Sequence, residues 1–130
     1  MIKVLHYDYD VNLAVELQVY LTEYADQHPE VNYEFLEHGG YGDFKHDRKT
    51  IESRLPEIDV QLIKPGIKGR RVVIHQYPTE FPHLKIGLLT PSPDMYEESG
   101  EVQVLDYLNI DQIVNFILSC KKEIIILPDT

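Results

Sequence analysis

This sequence has one cysteine, seven glycines and little more than half as many basic as acidic residues, and each scarcity removes a class of function. The lone thiol, Cys120, has no partner in the chain for a disulfide. A two-cysteine redox relay and a cysteine-only structural zinc site are therefore excluded, and a reducing compartment is expected. Cys120 lies on an amphipathic segment, where a small apolar residue serves packing better than nucleophilic attack.

Twelve basic residues stand against twenty-two acidic ones, a formal charge of −10. Such a field repels nucleic-acid phosphates and anionic membrane surfaces, so a nucleic-acid partner is disfavoured and a basic protein partner is favoured. Long apolar runs are also missing. The longest aliphatic stretch, Ile124-Ile125-Ile126-Leu127, is far below the roughly twenty residues of a membrane-spanning helix. The N-terminal Met1-Ile2-Lys3-Val4-Leu5 is too short for a secretory leader and runs into Asp8 and Asp10. A cytoplasmic protein without a membrane segment is the expectation.

The sequence does hold an ordinary globular composition, 43% hydrophobic and 26% charged, over 130 residues. That length suits one domain with its own core. Ile2 to Tyr7 is apolar on both strand parities, which predicts an interior strand. Asp10 is then a cap candidate for a helix whose stripe is Leu13, Ala14, Leu17, Tyr20, Leu21 and Tyr24, ended by His28-Pro29. Val31, Tyr33 and Phe35 alternate with Asn32 and Glu34 as a strand with one buried face. This strand–helix–strand opening predicts a parallel crossover.

A charged helix over Asp43–Arg54 follows, ended by Pro56. Ile58, Val60 and Leu62 alternate, Pro65-Gly66 signals a turn, and Arg71 to His75 reads as a second extended run, together a hairpin. Leu84 to Leu89 and Val102 to Tyr107 predict two more strands around an exposed acidic loop, Asp94–Glu101. Asn109 and Gln112 have capping-box spacing ahead of a helix with Ile110, Ile113, Val114 and Ile117, and Glu123–Leu127 reads as a final strand. The expected fold is a single α/β domain over residues 1–130. Its mixed sheet has about five strands, parallel around the first and antiparallel in the middle, with an N-terminal βαβ unit and a C-terminal helix–strand. A thioredoxin-like or flavodoxin-like arrangement fits by analogy, as a matter of fold alone.

Three of the seven glycines crowd into His38-Gly39-Gly40-Tyr41-Gly42-Asp43, directly after the second strand. Glycines between a strand and a helix let backbone amides approach an anion. No dinucleotide fingerprint or phosphate-loop lysine accompanies them, and Asp43 and Asp47 repel an anion, so a mobile loop or a partner-contact turn is the better reading, with Tyr41 as its contact anchor and His38, Gly39 and Gly40 as ligand-binding candidates beside it. A second constellation stands at strand ends: His6, Asp8, Asp10, Glu37, His38, Asp43, His46 and Asp47. Imidazole and carboxylate suit a divalent metal, with His6, Asp8 and His38 as candidate ligands, although His6 shares its parity with Ile2 and Val4 and also reads as a core histidine. A third is basic, Lys64 to Arg71, where Arg70 and Arg71 could hold a phosphate or guard a sheet edge.

No serine stands in a nucleophile-elbow pattern, and no cofactor is implied. The favoured function is a non-catalytic acidic module for protein binding, an inhibitor, immunity-type or regulatory subunit, contacting a basic partner through Tyr41, Asp94, Tyr96, Glu97, Glu98 and Glu101. The alternative is a small metal- or phosphate-ligand enzyme built on the strand-end cluster.

Overall fold

The computed structural model describes residues 1–8, 11–36, 44–64, 66–91 and 102–121. Strand β1 (Ile2–Asp8) leads into α1 (Val11–Gln27), β2 (Val31–Leu36) and α2 (Phe44–Arg54), with a single 3₁₀ turn at Leu55–Glu57. Strand β3 (Val60–Lys64) is followed by α3 (Gly66–Arg71), a π-helical turn over Val72–Gln76, and α4 (Tyr77–Glu80). The chain closes through β4 (Lys85–Thr90), β5 (Val102–Asp106) and α5 (Ile110–Leu118).

The five strands form one sheet in the order β2-β1-β3-β4-β5, and every neighbouring pair is parallel. This corrects the mixed sheet expected from sequence. The antiparallel middle depended on an extended Arg71–His75, and that segment is helical. Val73 and Tyr77, one helical turn apart, are both fully buried, while His75 between them, which a strand would turn to the same face, is exposed. Parallel neighbours need a crossover, and the run Gly66–Glu80 supplies it between β3 and β4 despite three consecutive β-branched residues. A wider π turn accommodates that crowded run.

Helices cover both faces of the sheet. Ile2, Val4, Leu62 and Leu105 pack with Ala14, Leu17 and Leu21 of α1 and with Ile113, Phe116 and Ile117 of α5. On the other face Leu5, Tyr7, Ile63 and Ile86 pack with Phe44 and Ile51 of α2 and with Val73 and Tyr77. β1 is therefore interior, as its two apolar parities predict, and Lys3 is its one exposed residue after Met1.

At α5 the Asn109 side chain accepts a hydrogen bond from the Gln112 backbone N–H at 3.1 Å, as the cap spacing predicts. Gln112 does not return the bond to Asn109. Its Oε1 accepts from the Asp106 backbone N–H at 3.1 Å and ties the helix to the end of β5. Replacing Asn109 with alanine is expected to cost about 1 kcal/mol in a urea unfolding titration, the usual value of an N-cap, with Asn109→Ser close to wild type. The acidic loop Asp94–Glu101, the glycine turn and the strand expected over Glu123–Leu127 lie outside the described residues.

Candidate functional site

In a doubly wound sheet of order 2-1-3-4-5 the chain leaves β1 in opposite senses toward β2 and β3. The crevice for a ligand opens at the carboxyl ends of these two strands. Asp8 ends β1 and is paired in register with Lys64, the end of β3. His6, two residues before Asp8, projects from the same side of β1 as Ile2 and Val4, toward the layer of α1 and α5. His6 and Asp8 are both fully buried.

Two aromatic side chains of β2 enclose the imidazole. The Tyr33 hydroxyl lies 2.5 Å from His6 Nδ1 in a shared hydrogen bond, and the Phe35 ring meets the imidazole edge-on at 4.9 Å between centroids. Nε2 has no hydrogen-bond partner among the described residues. Burial lowers the His6 pKa to about 3, because an imidazolium there would lose its hydration without a compensating partner. The Tyr33 hydroxyl is pushed the other way, first by burial and then by the Asp8 charge, so it stays protonated. A ring whose pKa lies this far below neutrality is poorly matched to acid–base catalysis near neutral pH. His6 is thus the core histidine that its strand parity allowed.

Lys64 is the residue sequence reading missed. It reads there as the first member of a basic hairpin, but it closes β3 beside Asp8 and places its Nζ 5.4 Å from the centroid of the Tyr107 ring. The lysine covers the reversal point with a cation, over an aromatic face and next to a buried carboxylate. The signal was present in the alternation Val60, Leu62, Lys64, which puts Lys64 on the inward parity of β3.

Asp47, counted with the strand-end acids, is likewise elsewhere. It is buried on the opposite layer, where its carboxylate accepts the Tyr7 hydroxyl at 2.7 Å. Nearby, Glu52 accepts from Arg48 Nε at 2.5 Å and from the Tyr77 hydroxyl at 3.0 Å, tying α2 to α4. Arg70 and Arg71 stand on α3, half-buried and exposed respectively, so they line a crossover helix and not a hairpin at a sheet edge. Among the described residues no group of three or more histidine, cysteine, aspartate or glutamate side chains could hold a metal. His38, Gly39, Gly40, Tyr41, Asp94, Tyr96, Glu97, Glu98 and Glu101 lie outside the described residues. Cys120 is half-buried and packs against the α1/α5 layer.

No helix among the described residues is long and apolar enough to cross a membrane. No protein-family model matches the sequence, and no curated protein matches it. The fold is similar to the crystal structure of a "putative lipoprotein" fragment from Peptoclostridium difficile 630, with a TM-score of 0.65 at 8% identity over 95% of this chain and 99% of that one. The likeness is one of architecture: a single α/β domain with helices on a parallel sheet.

Proposed function

We propose that this chain is a non-catalytic cytoplasmic module that binds a basic protein partner through its acidic exterior. The observation that carries the reading is the burial of those strand-end groups that lie among the described residues. His6 and Asp8 face inward, His6 is neutral, and Lys64 stands at the place where a ligand would enter. What the chain offers to solvent is then mainly negative charge, ten units of it in formal terms. Acidic surface of this kind speeds encounter with a basic partner and fixes its orientation. Tyr41, Tyr96 and the acids Asp94, Glu97, Glu98 and Glu101 belong to this reading as contact residues.

The test uses synthetic helical peptides of about eighteen residues, matched in apolar content and differing in charge. Fluorescence anisotropy at low and high salt is expected to show binding of the lysine- and arginine-bearing peptide alone, weakened by salt as screening shortens the reach of exposed charges. Equal binding of basic, neutral and acidic peptides, or none of the basic one, removes the reading.

A further inference from the structure

Helix α1 turns an unusual face to solvent. Val15 and Val19, one helical turn apart, are 48% and 54% exposed. β-Branched residues at such positions give up side-chain freedom in a helix and bury little in return, and the packing among the described residues does not account for them. Around this ridge stand Glu16, Glu23 and Asp26, all exposed, and α1 carries no lysine or arginine along its seventeen residues. The chain's other polar helix differs: α2 holds Lys45, Arg48, Lys49 and Arg54 among its acids.

Along the flank of the ridge runs an aromatic ladder. Tyr20, 41% exposed, stacks on Tyr24 at 6.4 Å and 24°, and Tyr24 stacks on His28 at 3.9 Å and 11°. The ladder sets the Tyr20 ring nearly parallel to that of Tyr24, one helical turn from Glu16. A ring so placed is a good seat for a guanidinium, which gains from the aromatic face and from neighbouring carboxylates together.

We propose that the outward face of α1 is a docking surface for a basic amphipathic helix. This rests on the reading of the chain as an acidic binding module and adds a contact face on α1 to the contact residues named above. The partner's aliphatic side chains lie along Val15 and Val19. Its lysines and arginines reach Glu16, Glu23 and Asp26, and one arginine stacks on Tyr20. A second copy of this chain is a poor occupant, since it would bring acid against acid at a formal charge of −10 per chain. Nucleic acid is disfavoured by the same sign of charge.

The experiment titrates the basic amphipathic peptide into the full chain and into three variants: Val15→Ser with Val19→Ser, Glu16→Lys with Glu23→Lys, and Tyr20→Ala. Thermal melts confirm that each variant folds. The valine and glutamate pairs are each expected to weaken binding by about tenfold or more, and the glutamate pair to flatten its salt dependence. If the peptide binds wild type and all three variants alike, the α1 face is overturned while the acidic module stands. If no basic probe binds wild type, both readings fall. Sedimentation that shows a wild-type dimer dissociated by Val15→Ser with Val19→Ser overturns the basic partner in favour of a second copy.

Discussion

Lowering the pH from 6.5 to 4.5 is expected to reduce the unfolding free energy by about 2 kcal/mol through His6 alone, at no more than about 1.36 kcal/mol per pH unit. In the unfolded chain the imidazole takes up its proton near pH 6.5, whereas in the fold burial delays uptake to about pH 3. Between these values the unfolded state binds more protons, so stability falls as pH falls. The contribution is fully present above pH 6.5 and is exhausted near pH 3, for a total on the order of 4 to 5 kcal/mol. Urea titrations at several pH values on wild type and His6→Gln measure the difference in slope, which separates this group from the many carboxylates. Glutamine retains a polar partner for the Tyr33 hydroxyl and does not titrate. Identical slopes for the two proteins would mean that the native ring takes its proton as easily as the unfolded one.

Gly87→Ala is expected to cost about 1 to 3 kcal/mol, although alanine is the smallest substitution available and β4 is a strand. A methyl group on Gly87 would enter the contact radius of Leu105 Cδ1 and stand 3.0 Å from Phe116 Cε2 and 3.2 Å from Leu62 Cδ2. Leu62 and Leu105 are fully buried, so the methyl group must displace core side chains on at least two sides, with Phe116 alone bordering a surface pocket. Gly87 is therefore the point at which α5 comes down on the sheet, and the glycine is required by space, not by backbone angle. Trimming the obstacle with Leu105→Ala should make the second substitution cheaper than the first: the double variant is expected to be more stable than the sum of its two parts predicts. Strict additivity, or stabilisation by Gly87→Ala, would show that the layer yields without cost.

Much of the fold is legible in local pattern because local physics decides it. The two apolar parities of Ile2–Tyr7, the alternation of Val31, Tyr33 and Phe35, the stop at His28-Pro29 and the cap at Asn109 each appear where the sequence predicts. Val72-Val73-Ile74 misleads because three β-branched residues in a row favour a strand, while the helix there is imposed by the need to cross from β3 to β4. Tertiary context overrode propensity. With that segment misread, the direction of the middle strands followed it.

The strand-end cluster is legible only in part. Parity places His6 in the core, but Asp47 reads as a surface acid unless its spacing is followed through Phe44, Asp47, Ile51 and Leu55. That three- and four-residue rhythm puts it on the inward stripe of α2, within reach of the Tyr7 hydroxyl. Lys64 is hidden by its neighbours, since Pro65-Gly66 and Lys68 to Arg71 suggest a basic turn. The alternation Val60, Leu62, Lys64 gives its parity, but its place beside Asp8 follows only from a pairing between residues 56 positions apart, which leaves no local trace.

The wholly parallel sheet also governs how the chain reaches its native state. No two adjacent strands are joined by a tight turn, so every ladder must wait for an intervening crossover to be made and brought back. Loop closure is then a cost met before each reward, which places folding on the slower side for a domain of this size. As the chain emerges from synthesis, β1, β2 and β3 can assemble first, with the open flank of β3 bare until β4 arrives. Leu62 and Ile63 lie along that flank. During this interval the nascent chain presents an unpaired apolar strand edge, the kind of surface that promotes aggregation.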